Sequence, residues 1–196
     1  MNNGLVKRSI GELSLVFKSG LSSYYLKNQG ESEKEVPLIN FKDIYDGVID
    51  ASSVERVKVH ETEALEKSRV SKGDLVLSTI GTFKAAVADE SADGFVISAN
   101  ITAITFSDSV IPAVVAAYLN SPAGQKELKK WASGGTTVGL NKTQLSNVLV
   151  PVPSLELQQD LQKFIALAQE YSTLLSKEAE IWNHIIDAVI VKTMDS

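Results

Sequence analysis

The sequence predicts an α+β fold, in which a domain of mixed strands over residues 1–154 is followed by one long C-terminal helix of the coiled-coil type over residues 155–196. Three observations lead to this prediction. Short runs rich in valine, isoleucine and threonine alternate with turn residues in the first half of the chain, which is typical of strands. A helical period begins near Pro112. Residues 154–196 contain neither proline nor glycine, and their apolar residues recur at alternating steps of three and four.

The first third of the chain contains short elements. The alternation of apolar and polar residues over 10–17 predicts a strand. A short apolar run follows at 36–40, and the mixture of turn and alternating residues over 42–60 predicts short strands. Residues 61–69 are interpreted as one short helix or an irregular acidic segment.

The middle of the chain has clearer signals. A turn at 72–74 precedes a buried strand at 75–78, and further strands are expected at 84–88 and within 95–106. Pro112 suits the first turn of a helix. A second helix over about 122–132 is expected to end at the glycines that follow Ser133.

Residues 148–153 predict an extended strand that leads into a proline-rich corner. The C-terminal helix then begins after Ser154, a residue that favours the N-cap position. A helix of about 35 residues is about 50 Å long, so the preceding domain cannot cover it and its apolar stripe requires a partner helix. The seam that we expect at this interface consists of Leu161, Phe164, Ala168, Tyr171, Leu175, Trp182, Ile185 and Val189.

The sequence predicts no catalytic centre and no metal site. The chain has no cysteine, and its two histidines, His60 and His184, stand in unrelated contexts. Neither a metalloprotease motif nor a nucleophile elbow occurs. Residues 134–143 superficially resemble a nucleotide-binding loop, but Leu140 and Asn141 interrupt the spacing that such a loop requires. This segment is therefore a turn, or a backbone and lysine cradle for a DNA phosphate.

The net charge of −5 argues against a simple DNA-binding protein, since affinity for a duplex depends on Lys and Arg at phosphates. The charge is unevenly distributed. Residues 1–30 and residues 121–150 each contain four basic residues and one acidic residue, whereas residues 151–196 contain three lysines and seven acids. A protein that binds DNA within a larger complex can leave part of the phosphate contact to its partner.

The N-terminal residues show no signal peptide, and no run approaches the length of a membrane span. Without cysteines the chain fits a reducing compartment. We expect a cytoplasmic protein with no membrane contact.

The order and spacing of several blocks resemble the DNA specificity (S) subunit family of type I restriction-modification systems. The most specific blocks are residues 72–78 followed by Gly81, and residues 145–148 leading into the Pro-Val-Pro exit at 150–158. Looser blocks occur in the expected order at 10–13, 19–22, 36–39, 43–49, 99–101, 118–121 and 134–140. At Thr79 the family often has arginine, so this chain lacks a basic contact there.

The resemblance implies a non-catalytic subunit that reads DNA and recruits methyltransferase subunits. Those subunits bind S-adenosylmethionine, and a restriction motor subunit joins some complexes; no cofactor is expected on this chain. A full-length member has two target-recognition domains joined by two antiparallel long helices, and this chain has one of each. We therefore expect a half-subunit that forms a homodimer through 155–196 and, by two-fold symmetry, reads an interrupted palindrome with one half-site per chain.

The candidate DNA contacts lie in and beside three polar, glycine-bearing loops, where lysines and hydroxyls position the duplex and polar or aromatic groups read base edges. They are Ser22, Ser23, Tyr24, Tyr25, Lys27, Ser78, Thr79, Thr82, Lys84, Thr136, Thr137 and Lys142. The alternative is an adaptor that does not bind DNA and that caps or pairs with methyltransferase or specificity chains, which the net charge favours. An enzyme in its own right is a third hypothesis, for which we expect no activity.

Overall fold

The fold combines mainly antiparallel strands with helices, and the computed structural model describes residues 6–22, 24, 33–45, 47–135 and 138–194. The strands are β1 Val6–Ser9, β2 Ser14–Ser19, β3 Glu33–Ile39, β4 Ile44–Tyr45, β5 Val48–Ile49, β6 Glu55–His60, β7 Leu75–Ser78, β8 Ala85–Val87, β9 Val96–Ile97, β10 Ile101–Phe106 and β11 Leu149–Val152. The helices are α1 Ile10–Leu13, α2 Glu63–Lys67, α3 Pro112–Asn120, α4 Pro122–Trp131, α5 Lys142–Ser146 and α6 Leu155–Met194.

The central sheet has the strand order β2-β10-β7-β8, and its neighbouring strands are antiparallel. A second sheet has the order β6-β3-β9, in which β3 and β9 are parallel. The strands β1 and β11 form an antiparallel pair that brings the start of the domain beside its exit, and β4 and β5 form a hairpin. The predicted mixed-strand domain is therefore confirmed.

Strand β7 of the central sheet is buried on both faces. On β7, Leu75 and Leu77 pack with Leu119 of α3 and Leu128 of α4 in one apolar cluster. Val76 points to the opposite face and packs in a second cluster with residues of the smaller sheets. A strand that is covered on both sides is a continuous apolar run, which is why 75–78 was recognisable from the sequence.

The prediction of a strand over 10–17 is wrong in its first half. Residues Ile10–Leu13 form one turn of helix, because the Ser9 hydroxyl accepts a hydrogen bond from the Glu12 N–H and the Glu12 carboxylate accepts one from the Ser9 N–H. This reciprocal capping favours the helical turn over the extended conformation. The strand β2 begins only at Ser14.

The predicted glycine stop after the second helix is also wrong. Helix α4 ends at Trp131, and the next residue, Ala132, already has an extended conformation. The other helical predictions are confirmed, with Pro112 and Pro122 in the first turns of α3 and α4. The short segment over 61–69 contains helix α2.

Helix α6 extends over 40 residues, which corresponds to about 60 Å. Among the described residues, the domain contacts the first part of this helix, where Gly47 of the β4–β5 turn lies close to the Gln169 side chain. From Glu170 to Met194 every described side chain is exposed. The predicted long helix is thus confirmed, whereas the exact division of the chain into domains stays a prediction.

The Gln158 side chain is the polar joint between α6 and the domain. It is 1% exposed, and its Oε1 accepts a hydrogen bond from the Ile111 N–H at 2.8 Å. Its Nε2 donates to the carbonyl oxygens of Ser109 at 3.2 Å and Pro153 at 2.9 Å. The start of α6 is thereby attached to the start of α3.

Replacing Gln158 by alanine tests this joint. The variant leaves the Ile111 N–H and two carbonyls without their partner, so we expect Gln158→Ala to lower the free energy of unfolding by about 1–3 kcal/mol in urea denaturation. The neighbouring Gln159 is exposed, and Gln159→Ala should change the stability by less than about 0.5 kcal/mol. Equal effects of the two variants would contradict the proposed role of the joint.

Candidate nucleic-acid interface

The loop that follows β2 is held against the start of β10. Strand β10 is antiparallel to both β2 and β7, with Ser19 opposite Thr102 and Ser78 opposite Ile101. The ends of β2 and β7 therefore meet at the same edge of the sheet. In the first loop the Gly20 N–H donates to the Ile101 carbonyl, and the Leu21 N–H donates to the Ile97 carbonyl at 2.7 Å.

The second loop, which follows β7, is shaped by two buried hydroxyl side chains. Thr79 donates through both its N–H and its Oγ1 to the Asn100 carbonyl, at 2.8 and 3.0 Å. The Ser78 Oγ donates to the Thr82 carbonyl and accepts from the Lys84 N–H. These bonds close a tight loop in which Gly81 has a φ of +75°, a conformation that glycine adopts without steric cost.

The third loop pairs with the second. The Gly81 N–H donates to the Val138 carbonyl at 2.9 Å, and the Leu140 N–H donates to the Thr79 carbonyl at 2.8 Å. The base of the third loop is closed by reciprocal backbone bonds between Ser133 and Gly139. All three predicted loops therefore have described residues at one end of the central sheet.

The side chains predicted to contact DNA occupy different depths at this end. Ser22, Tyr24 and Thr82 are exposed, whereas Ser78 and Thr79 are buried. Five further candidates lie outside the described residues, namely Ser23, Tyr25, Lys27, Thr136 and Thr137. DNA contact by these residues stays a prediction.

Two of the three predicted lysines lie within the described residues, and both lie beside aromatic rings. The Lys84 Nζ donates to the Ile44 carbonyl at 3.0 Å and lies 4.1 Å from the centre of the Phe41 ring. The Lys142 Nζ lies 5.4 Å from the centre of the Phe17 ring, and this lysine is exposed. Lys142 is thus the more accessible of the two to a phosphate.

A groove beside the first loop contains basic residues that sequence reasoning missed. Its lining includes Ser22 of the loop, Lys67 at the end of α2, and Arg69. Leu65 of α2 packs with Leu21 of the loop, which brings these cations to the site. Because residues 61–69 are rich in acids, the sequence did not indicate a basic site there. Only the contact between Leu65 and Leu21 shows which side of this segment faces the loop.

The cations of the groove are already paired with acids. Lys67 lies 2.6 Å from Glu63, whose carboxyl pKa is lowered mainly by this hydrogen bond, and the Arg69 Nε donates to Glu66 at 2.8 Å. The Lys67–Glu63 pair is largely exposed. Exposed pairs contribute little to stability, so a phosphate can replace the acid at low cost.

The third cation of the groove, Lys18, has a structural partner. Its ammonium lies 2.6 Å from the Asp74 carboxylate, which is 1% exposed and also accepts hydrogen bonds from the Ser71 N–H and the Thr105 hydroxyl. A buried carboxylate requires such partners. The Lys-Gly-Asp turn at 72–74 therefore stabilises the scaffold beneath the loops.

The residues that the structure describes include no group of three or more His, Asp or Glu side chains that could hold a metal ion. Among the same residues, no helix has the length and apolar character needed to cross a membrane.

Comparison with a model of a protein family shows the family of this chain. The model described as the type I restriction modification DNA specificity domain matches residues 3–178, which is most of the chain. The chain belongs to this family. The resemblance seen in the central block and in the domain exit is thereby confirmed.

Other members of the family are longer than this chain. The chain is 22% identical over 157 residues to the type I restriction enzyme EcoBI specificity subunit of Escherichia coli, a match that covers 79% of this chain and 33% of that protein. The HsdS subunit from Thermoanaerobacter tengcongensis has a similar fold, with a TM-score of 0.60 at 17% identity over 90% of this chain and 40% of that one. The S subunit from M. genitalium gives a TM-score of 0.55 at 18% identity, over 87% and 41% of the two chains. The specificity chain described here therefore spans about two fifths or less of each of these proteins.

The position of Gly20 gives a test of the first loop of this specificity chain. A Cβ at Gly20 would lie 1.8 Å from the Ser98 carbonyl oxygen, so Gly20→Ala must displace the loop or the β9–β10 connection. We expect a loss of about 1–3 kcal/mol in the free energy of unfolding, measured by urea denaturation. At Gly135 a Cβ would meet no heavy atom within 4 Å, and Gly135→Ala serves as the control. A fully stable Gly20→Ala variant would show that the described contact is wrong.

Proposed function

We propose that this chain is the DNA-reading subunit of a type I restriction-modification complex and that each copy reads one half-site. The observation that supports this most is the arrangement of three polar loops at one end of the central sheet in a member of the DNA specificity family. Loops on a rigid scaffold can present side chains to base edges. The complex would act on DNA in the cytoplasm.

In this proposal, different residues of the interface have different roles. Lys142, Lys67 and Arg69 contact phosphates and position the duplex, since they are basic and lie beside the loops. The exposed Ser22, Tyr24 and Thr82, with the candidates outside the described residues, read bases in the major groove. Ser78 and Thr79 shape the second loop through hydrogen bonds to the backbone.

The chemistry belongs to other subunits in this proposal. Methyltransferase subunits, which this chain recruits, would bind S-adenosylmethionine and supply further phosphate contacts. Their contribution offsets the net charge of −5 on this chain. No cofactor and no catalytic residue is assigned to the specificity chain itself.

We also propose that two copies associate through α6. The seam residues of α6 lie on one face of the helix and are exposed in the single chain, including Phe164, Tyr171, Leu175 and Trp182. By analogy with the two long helices of a full-length member, the two copies of α6 pair antiparallel. The recognition domains then lie at opposite ends, and the two-fold axis relates two half-sites of an interrupted palindrome.

The alternative function is an adaptor that pairs with methyltransferase or specificity chains without touching DNA. The specific observations in its favour are the net charge and the pairing of Lys67 and Arg69 with acids. Duplex binding in the presence of methyltransferase subunits distinguishes the two functions.

Binding to DNA should weaken steeply with salt if the first proposal is right. With methyltransferase subunits present, the logarithm of the binding constant should fall linearly with the logarithm of salt concentration, with a slope of about 0.9 for each neutralised phosphate. Lys142→Ala should weaken binding to all sequences alike and reduce this slope by about 1.

The matched control for this titration is Lys163→Ala on α6, which changes the net charge equally and should leave the slope unchanged. No measurable duplex affinity would favour the adaptor. An altered target preference in Lys142→Ala would mean that Lys142 reads bases.

Dimerisation through α6 can be tested by placing a charge in the seam. Leu175→Asp introduces a carboxylate near the centre of the seam, so sedimentation should show a monomer whose recognition domain remains folded. The neighbouring Ser176 lies outside the seam, and Ser176→Asp should remain a dimer. A dimer that survives Leu175→Asp would contradict pairing through this face.

A further inference from the structure

The root of α6 forms one wall of an open apolar groove. The lining also includes Val114, Ala117 and Tyr118 of α3 and Pro153 of the domain exit. Leu157 of α6 lines the groove as well and is 49% exposed. Apolar surface that remains open to water in this way favours association.

The opposite end of α6 is apolar over more than one helix face. Besides the seam residues Ile185 and Val189, it exposes Ile186 and Ile190, each of which follows a seam residue by one position. A two-helix seam covers only the a and d columns of the heptad. The flank that contains Ile186 and Ile190 therefore needs a contact beyond the partner helix.

One antiparallel register pairs every apolar seam residue except Ala168 with another apolar residue. In antiparallel coiled coils a residue at an a position packs against a d position of the other helix. This rule places Leu157 opposite Val189, Leu161 opposite Ile185, Phe164 opposite Trp182 and Tyr171 opposite Leu175. Glu178, the polar interruption of the seam, then lies opposite the small Ala168. A shift by one heptad in either direction would place Leu161 against Glu178 or against Lys192 instead.

The flank of α6 that faces the domain is known from its contacts. Ile165 follows the seam residue Phe164 by one position, and Gln158 follows Leu157, which lies one heptad before Phe164. Gln158 is bonded to the start of α3, and Ile165 lines the groove. In an antiparallel pair these equivalent flanks of the two helices face each other. Ile186 of the second copy is then directed towards the domain, at the level of Gln158.

We propose that the groove at the root of α6 is the seat for the C-terminal end of α6 from a second copy of this chain. The partner's Ile186 and Ile190 would pack against Ala117, Tyr118 and Pro153. This inference rests on the proposed antiparallel dimer and adds to it a second contact at each end. Both recognition domains are thereby fixed to the helix pair, so the separation of the two sets of loops is fixed as well.

Disulfide cross-linking tests this contact directly, since the chain contains no cysteine of its own. The variant with Ala117→Cys and Ile190→Cys should form disulfides between copies on oxidation, seen as a covalent dimer on a non-reducing gel and as a linked peptide pair by mass spectrometry. A disulfide within one chain is excluded by distance, because about 25 helical residues separate Ile190 from the groove, or about 37 Å.

The single variants are the controls. Neither Ala117→Cys nor Ile190→Cys alone should form a covalent dimer. A parallel pair would bring the two copies of residue 190 together, so efficient cross-linking of Ile190→Cys alone would overturn the inference.

A matched pair of charge substitutions gives a second readout. Ile190→Asp should raise the dissociation constant of the dimer at least tenfold, because an isoleucine buried at each end is replaced by a charge. Val191→Asp, on the adjacent face, should change it less than twofold.

The groove contact is wrong if the chain is a dimer but the double-cysteine variant forms no disulfide and Ile190→Asp leaves the dissociation constant unchanged. Pairing through the seam would then still stand. A chain that is monomeric in sedimentation overturns both the dimer and the groove contact.

Discussion

The amide of Gln158 determines how the two functional parts of this specificity chain are joined. It is buried among the backbone groups of Ser109, Ile111 and Pro153, and it satisfies one N–H and two carbonyls with a single side chain. A buried amide with all its partners has few alternative arrangements. Helix α6 therefore leaves the domain at a fixed place beside α3. The position of the helix seam relative to the loops is fixed as a result.

The three loops at the other end of the domain are likewise held in place by hydrogen bonds to the backbone. Backbone hydrogen bonds to the β9–β10 connection and between the second and third loops fix their course, so the exposed side chains can vary without a change in the scaffold. The cations Lys67 and Arg69 are placed beside the first loop although acids surround them in sequence. The Lys67–Glu63 pair is exposed and weak enough to exchange for a phosphate, whereas Arg69 is half-buried and also donates to the Gly94 carbonyl.

Sequence reasoning succeeded where the signal was local and periodic. The strand 75–78 and helix α6 were recognisable because burial on two faces and a heptad seam both leave regular patterns. It failed at 10–13, where a capping interaction between Ser9 and Glu12 outweighed the alternation of apolar residues. The convergence of the loops and the position of Arg69 depend on contacts between residues that are far apart in sequence. Such contacts have no periodic signature in a single chain.

In the proposed dimer, two copies related by a two-fold axis read two equal half-sites at a fixed separation. Methylation-sensitive sequencing of the genome of cells that contain this chain and its methyltransferase subunits reports this symmetry. We expect one methylated motif made of two inverted copies of a short sequence with a spacer of constant length. An asymmetric motif with two unrelated halves, or methylation that does not depend on this chain, would contradict it.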